Sequence, residues 1–121
     1  MAPIDFKSGE PGVGQSLLDA LDEECAKQGL DRNLMVVKKY GDLRFEILGF
    51  ADNQECDGNE CEKLSERRAK AVYEWLVANG ANPLSFERVE GRGAEMPIAD
   101  NSTEEGRSVN RRVEVNPAPS D

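Results

Sequence analysis

Four segments of the chain show the short apolar patterns that are typical of β-strands. Residues 43–49 alternate apolar and charged side chains and end at a glycine, which predicts a half-buried strand. Residues 86–90 and 110–115 are two further candidates, and residues 4–6 carry the brief apolar alternation of an edge strand. These segments predict a small sheet.

Two longer segments carry apolar residues at helical spacing. The first begins at Ser16 and ends at a glycine C-cap, Gly29, and the second spans about residues 60–79. Residues 34–39 look strand-like, so we expect either an extra hairpin arm or a loop there. Strands that alternate with helices predict an α/β (α+β) two-layer domain with its helices on one face of a sheet.

A charged residue interrupts the apolar face of the second predicted helix. Arg68 falls in the middle of the arc formed by Leu64, Val72 and Leu76. A guanidinium in that position costs desolvation free energy unless it reaches an anion or the rim of the core. Its nearest candidate partner in sequence is Asp52, just beyond the strand at 43–49. The alternative is that the Arg68 stem lies on the core and the charged head reaches water.

Length and charge limit the classes of function. The 121 residues suffice for one domain, which we expect to span 1–115, with 116–121 as a flexible C-terminal tail. The net charge of −9 repels nucleic acid and anionic lipid surfaces, so we expect no nucleic-acid binding. The sequence has no apolar run of about 18 residues, so we expect the chain itself not to span a membrane.

Catalysis has few candidate groups in this composition. The chain contains no histidine, which excludes Ser-His-Asp and Cys-His nucleophile pairs and most catalytic zinc sites. Its many carboxylates include no pair in an apolar setting that would separate two pKa values. We therefore expect no enzymatic activity, no cofactor and no metal.

Three segments form a pattern that extends from residue 43 to residue 115. The first ends in GFAD at 49–52, and the second reads LSERRA at 64–69. The third reads GRGAEMPIADNSTEEGR at 91–107 and continues with NRRVE at 110–114. In this order and spacing, the pattern resembles the OmpA-like peptidoglycan-binding domain, the C-terminal module of OmpA- and MotB-type envelope proteins.

The resemblance implies a fold, a ligand and a location. The fold would be βαβαββ, with a mixed four-stranded sheet and helices on one face. The ligand would be cell-wall peptidoglycan, bound non-covalently through the diaminopimelate of its stem peptide. By motif position, Asp52 would take the ammonium of diaminopimelate and Arg68 its carboxylate, as a charge-assisted fork. The chain would then belong to a membrane-anchored protein in the periplasm, attached to the outer membrane or cell envelope.

Two positions depart from the family pattern and support an alternative function. Ala51, which we expect at a ligand-binding position, stands where the family usually has a threonine, and Cys61 stands where it usually has an asparagine. Asn59, two residues before Cys61, is then a candidate ligand residue. Alternatively, Asn59 and Glu62 cap the second predicted helix. The alternative is a degenerate OmpA-like domain that serves as a protein interaction or dimerisation module.

The acidic loop between Asp52 and Leu64 carries two cysteines. Its acidic residues suggest calcium, but the EF-hand register fails because the bidentate twelfth position is Leu64. Cys56 and Cys61 without a histidine make a poor zinc site, and in an oxidising periplasm a disulfide suits them better. Cys25 lies on the apolar stripe of the first helix, which predicts a buried free thiol.

The other arginines near these motifs have structural interpretations. Arg67 points about 100° away from Arg68 on a helix, which predicts a solvated side chain. Arg107, Arg111 and Arg112 are expected to brace carboxylates or the sheet, with only one of the last two facing inward. Because Arg68 is costly on an apolar face, we expect the fold to survive its removal.

Overall fold

Strands and helices alternate along the computed structural model, which describes residues 3–22 and 24–119. The strands are β1 (Ile4–Asp5), β2 (Phe45–Gly49), β3 (Phe86–Gly91) and β4 (Arg112–Pro117). The helices are α1 (Leu17–Ala20), α2 (Glu24–Lys39), α3 (Asn59–Ala78) and α4 (Glu104–Asn110), with a 3-10 turn at Pro83–Ser85.

The four strands form one mixed sheet in the order β1-β4-β2-β3. Strand β2 is central, pairing in parallel with β3 and antiparallel with β4, while β1 pairs antiparallel with β4 on the far side. The sequence prediction of a mixed four-stranded α/β sheet is confirmed. The parallel β2–β3 pair requires a crossover, and α3 is the helix that provides it.

The prediction for the segment before β2 is wrong in detail. Residues 34–39 are the last turns of α2, so no hairpin arm forms, and Gly29 lies inside that helix rather than at its end. Ala26, Leu30 and Val37 of α2 are buried in the core. Burial of this helical face outweighs the short local alternation of apolar residues at 34–39 that suggested a strand.

Helix α3 packs unusually close to the sheet. Gly49 of β2 and Gly91 of β3 are neighbours in register, and both lie beneath Ser65. A Cβ added at Gly49 would overlap the Ser65 carbonyl oxygen and lie 3.2 Å from the Ala69 amide nitrogen. Because the helix backbone sits this close, the side chain of Arg68 is directed toward the end of β2.

The C-terminal strand is longer than predicted. Asn116 and Pro117 pair with Glu46 and Phe45 of β2, so the sheet continues two residues past the predicted boundary at residue 115. The Ala118 amide also donates to the Arg44 carbonyl at 2.9 Å. Within the described residues, no helix combines the length and the apolar character that a membrane crossing needs.

Candidate ligand-binding site

Asp52 lies just beyond the end of β2, and its carboxylate is buried. Oδ1 accepts hydrogen bonds from the backbone amides of Gln54 at 2.6 Å and Glu55 at 2.8 Å, which closes a tight turn after the strand. Oδ2 accepts from Nη1 of Arg111 at 3.1 Å. Only 1% of Asp52 is exposed. Its carboxylate is therefore held from both sides.

Arg68 reaches the same region from α3 and is fully buried. Its Nε donates to the Glu10 carbonyl at 2.9 Å, and its two terminal nitrogens donate to the carbonyls of Phe50 at 3.0 Å and Lys7 at 3.2 Å. The same two nitrogens form a bidentate pair with the Glu55 carboxylate, at 2.8 Å for Nη1–Oε2 and 2.6 Å for Nη2–Oε1. All five guanidinium N–H groups thus have acceptors.

The structure corrects two expectations for Arg68. The guanidinium does not reach water, since none of its side chain is exposed. The carboxylate that pairs with it belongs to Glu55, while Asp52 pairs with Arg111. The guanidinium carbon also lies 5.3 Å from the centre of the Phe6 ring. The charge on the apolar face is therefore stabilised inside the protein, by groups from the N-terminal segment and from the acidic loop.

Glu55 links the two predicted site residues. Its side chain is fully buried, and its Oε1 accepts from the Gly9 amide at 2.7 Å as well as from Arg68. Its Oε2 accepts from the Asp52 amide at 2.9 Å in addition to Arg68. The structure thus brings Asp52 and Arg68 together around one carboxylate, in a site made of a guanidinium fork and two backbone amides.

Arg111 completes the cluster on the side of α4. Its side chain is buried, bonds the Phe6 carbonyl at 3.0 Å, and pairs with Glu104 at 2.9 Å as well as with Asp52. Burial alone would lower the pKa of Arg111, but the hydrogen bonds and charges of Glu104 and Asp52 outweigh it and raise that pKa. The hydrogen bond and charge of Arg111 in turn lower the pKa of the Glu104 carboxyl.

The other two predicted ligand residues lie outside this cluster. Asn59 is the exposed first residue of α3, and the N-cap position before it is Gly58, so Asn59 does not cap the helix. It lines a cavity of about 300 Å³ whose walls include neither Asp52 nor Arg68. Ala51 is buried, and its amide donates to the Gly93 carbonyl at 3.0 Å, so its contribution here is to the backbone.

A disulfide closes the acidic loop, as predicted. Cys56 and Cys61 are bonded with an S–S distance of 2.06 Å and join the loop to the first turn of α3. Among the described residues, no group of three or more Cys, Asp or Glu side chains is placed to hold a metal ion. The Cys25 side chain, predicted to be a buried thiol, lies outside the part of the chain that the structure describes.

Alkylation should separate the loop cysteines from Cys25. Because Cys56 and Cys61 are bonded to each other, denatured but unreduced protein should gain one adduct, at Cys25. Mass spectrometry before and after reduction measures this, with one adduct expected before and three after. Three adducts on oxidised, freshly purified protein before reduction would contradict the disulfide.

The neighbouring arginines differ in part from their predicted roles. Arg67 is half-buried and donates to the Pro11 carbonyl at 2.9 Å, so it is not a freely solvated side chain. Arg112 bonds Glu114 at 2.7 Å and stacks 3.8 Å from the centre of the Phe50 ring. Arg111 and Arg112 both brace carboxylates, as predicted, but both are buried, because segments outside the sheet cover each of them.

Sequence reasoning missed Glu55 and the N-terminal segment that packs over Arg68. Glu55 is one of several acidic residues in its loop and lies 13 residues before Arg68, a spacing with no helical or strand meaning. The carbonyls of Lys7 and Glu10 contact Arg68 across about sixty residues of chain, and backbone groups leave no mark in a sequence. The one available signal was an unpaired arginine on an apolar face, which requires an anion somewhere.

Comparison with known proteins agrees with the predicted family. The OmpA family pattern matches residues 17–111. Peptidoglycan-binding protein ArfA of Mycobacterium tuberculosis is 40% identical over 102 residues, which cover 84% of this chain and 29% of ArfA. Outer membrane porin F of Pseudomonas fluorescens is 36% identical over 102 residues, which cover 74% of this chain and 31% of the porin. The chain thus spans about a third of the length of these two relatives.

The fold is also found in solved structures. The C-terminal domain of Helicobacter pylori MotB superposes with a TM-score of 0.77 at 23% sequence identity, and the match covers 99% of this chain and 86% of that domain. At this identity the likeness shows the fold alone. The family match includes the GFAD and LSERRA segments and the C-terminal motif as far as Arg111. The chain belongs to the OmpA family.

Proposed function

We propose that this domain binds cell-wall peptidoglycan non-covalently, through the diaminopimelate of its stem peptide, and thereby anchors an envelope protein to the wall. The observation that carries the proposal is that the Arg68 guanidinium and the Asp52 backbone amide both hold one buried carboxylate, that of Glu55, at the end of β2. A site that holds the Glu55 carboxylate by a guanidinium fork has the chemistry to hold a ligand carboxylate in its place.

The opposite charges of Arg68 and Asp52 suit the carboxylate and ammonium groups of diaminopimelate. A diaminopimelate carboxylate would take the fork of Arg68 together with the neighbouring amides, and its ammonium would face the Asp52 carboxylate. The fork fixes the orientation of the ligand carboxylate as well as contributing affinity, which a single lysine would not do. No group in the cluster is arranged as a nucleophile with a base, so the proposed activity is binding without catalysis.

The relatives support the ligand and the location. ArfA is named for peptidoglycan binding, and the porin F relative is an outer membrane protein. We place this chain by analogy in the periplasm, as part of a protein attached to the outer membrane or envelope. Thr and Asn side chains of the usual pattern are replaced here by Ala51 and Cys61, so the ligand would depend more heavily on Asp52 and Arg68.

Co-sedimentation with diaminopimelate-type sacculi tests this function. Asp52→Asn and Arg68→Lys keep polar groups in place but remove the carboxylate charge and the guanidinium fork, respectively. Each should cost about 2 kcal/mol or more of binding free energy, about thirty-fold in affinity. Asp52→Asn leaves the ligand ammonium without its opposite charge, and Arg68→Lys replaces the bidentate fork with a single ammonium. The double variant should lose little more than either single variant, since the two residues act on one ligand group.

Arg88→Ala is the matched control, because Arg88 is an exposed arginine on β3. It should bind sacculi like the wild type, and free diaminopimelate should compete only with proteins that retain both site residues. Far-ultraviolet circular dichroism confirms that each variant is folded. Folded wild-type protein that stays in the supernatant, or an Arg88→Ala variant as weak as Arg68→Lys, would overturn the proposal.

One observation favours a second candidate, an interaction or dimerisation module. Asp52 and Arg68 are both buried, and each forms an ion pair with another residue of the chain, as expected of a domain that no longer uses them for a ligand. In addition, Met35 of α2 is 71% exposed, and Tyr40, just after α2, is 44% exposed. Sedimentation equilibrium distinguishes the two: a concentration-dependent dimer that ignores sacculi supports this candidate.

A further inference from the structure

We propose that Glu55 is a built-in competitor for the ligand, occupying the carboxylate position on Arg68 until the acidic loop carries it away. This inference rests on the proposed function, because it concerns how a ligand carboxylate gains access to Arg68. The evidence is the set of contacts made by Glu55, the way its loop is attached, and the charge that would remain without it.

Glu55 is bound as a free carboxylate ligand would be. Its two oxygens accept four hydrogen bonds, two from Arg68 and one each from the amides of Gly9 and Asp52, at 2.6 to 2.9 Å. Every donor is a guanidinium or a backbone N–H, and none is specific for a glutamate side chain. Any carboxylate that reached this position could make the same four bonds.

The segment that carries Glu55 has few other attachments. Residues 53–58 form bends and turns outside the sheet and helices, and Asn53, Gln54, Asp57 and Gly58 are exposed. Apart from the Glu55 carboxylate, the loop is held by hydrogen bonds from the Gln54 and Glu55 amides to the Asp52 side chain, and by the disulfide. The carbonyls of Asp57 and Gly58 also accept from amides in the first turn of α3. Withdrawal of Glu55 therefore requires movement of a short exposed loop rather than of the core.

Removal of Glu55 would leave an anion-binding site. The cluster would then contain two buried guanidinium groups, Arg68 and Arg111, and one buried carboxylate, that of Asp52, which pairs with Arg111, with Glu104 at the exposed edge. A buried cation without a partner is strongly unfavourable, so the vacated position would attract a carboxylate from solution. The disulfide keeps Glu55 close to this position and raises its effective concentration there.

Competition of this kind lowers the apparent affinity of the ligand. When the binding-competent form is about a tenth of the population, the apparent Kd is about tenfold weaker than the intrinsic one. Glu55→Gln keeps an oxygen acceptor for the amides but loses the charge that holds Arg68. It should therefore bind diaminopimelate, measured by calorimetry, at least about tenfold tighter than the wild type. The diaminopimelate affinity of the Cys56→Ser/Cys61→Ser variant should lie between those of the wild type and Glu55→Gln.

A test without peptidoglycan probes the carboxylate position itself. Glu55→Ala should have a lowered Tm that sodium formate or acetate raises by several degrees, because the small carboxylate fills the vacated fork, while sodium chloride at equal ionic strength does not. The wild type and Glu60→Ala, an exposed acid of the same region, should not respond to formate. If Glu55→Ala does not fold, Glu55→Gln and the cysteine variant carry the binding test.

The outcomes separate the inference from the proposed function. Wild type that binds sacculi, with a folded Glu55→Gln variant that binds no better, overturns the competitor role of Glu55 and leaves the function intact. Absence of formate rescue in folded Glu55→Ala likewise overturns it. If neither wild type nor Glu55→Gln binds sacculi or diaminopimelate, the proposed function fails, and rescue by formate would then mark Glu55 as a structural partner of Arg68.

Discussion

Arg68→Met is expected to lower the free energy of unfolding by about 3–5 kcal/mol, as measured by urea denaturation. The methionine keeps much of the side-chain volume but removes the partner of the buried Glu55 carboxylate and leaves the carbonyls of Lys7, Glu10 and Phe50 without their donor. An unmatched buried carboxylate is far more costly than the pair it came from. This replaces the expectation, drawn from the helix pattern, that the fold tolerates removal of Arg68.

A double variant isolates the charge effect. Glu55→Gln/Arg68→Met has no buried carboxylate left unpaired at position 55, while the glutamine oxygen can still accept from a backbone amide. It should be more stable than Arg68→Met by at least about 1 kcal/mol. This gain would show that the two residues are coupled, because the effects of changes at independent sites add. A loss below about 1 kcal/mol in Arg68→Met, or a double variant that is no more stable than it, would show that the pair is not a strong constraint on the fold.

Gly49→Ala is expected to be comparably damaging, with a loss of more than about 3 kcal/mol, at the upper end of overpacking costs. The added methyl group would overlap the Ser65 carbonyl and lie 3.0 Å from its carbonyl carbon, and both are helix backbone that no rotamer change can move. The helix would have to lift from β2, and Arg68 would move with it. Urea denaturation should show the loss, and sacculus binding should weaken in the same variant.

Gly12→Ala is the matched control for a glycine change. Gly12 is exposed, and a Cβ there would meet only the Gln15 side-chain oxygen, at an ordinary distance of 3.9 Å. Its stability should stay within about 0.5–1 kcal/mol of the wild type, as expected for a surface position. Equal losses in the two variants would mean that the close approach of α3 to β2 is not what Gly49 provides.

The stability losses expected in Arg68→Met and Gly49→Ala both depend on the placement of helix α3. Gly49 lets α3 lie close to the sheet, and Arg68 uses that closeness to reach backbone carbonyls at the end of β2 and in the N-terminal segment. The residues that would bind a ligand are thus also residues that hold the domain together. We expect binding and stability to be coupled here, so every binding measurement on these variants needs a parallel measure of folding.

Local patterns determined most of the architecture. The alternation at 43–49 and the long apolar stripe of residues 60–79 correspond to β2 and α3 within a few residues, because each buries one face on the other. The motifs also pointed to Asp52 and Arg68, which both donate hydrogen bonds to Glu55, and to the cysteine pair, which forms a disulfide. These features depend on residues close in sequence or on a family pattern that spans the chain.

Local patterns failed where distant segments decided the outcome. Residues 34–39 became helix because Leu30 and Val37 reach the core from one helical face, which a six-residue window cannot show. The sequence placed an arginine on an apolar face and so required an anion, but only the tertiary structure decided that Glu55, rather than Asp52, supplies it. Loop conformation and backbone amides set that choice, and neither is encoded in a local periodicity.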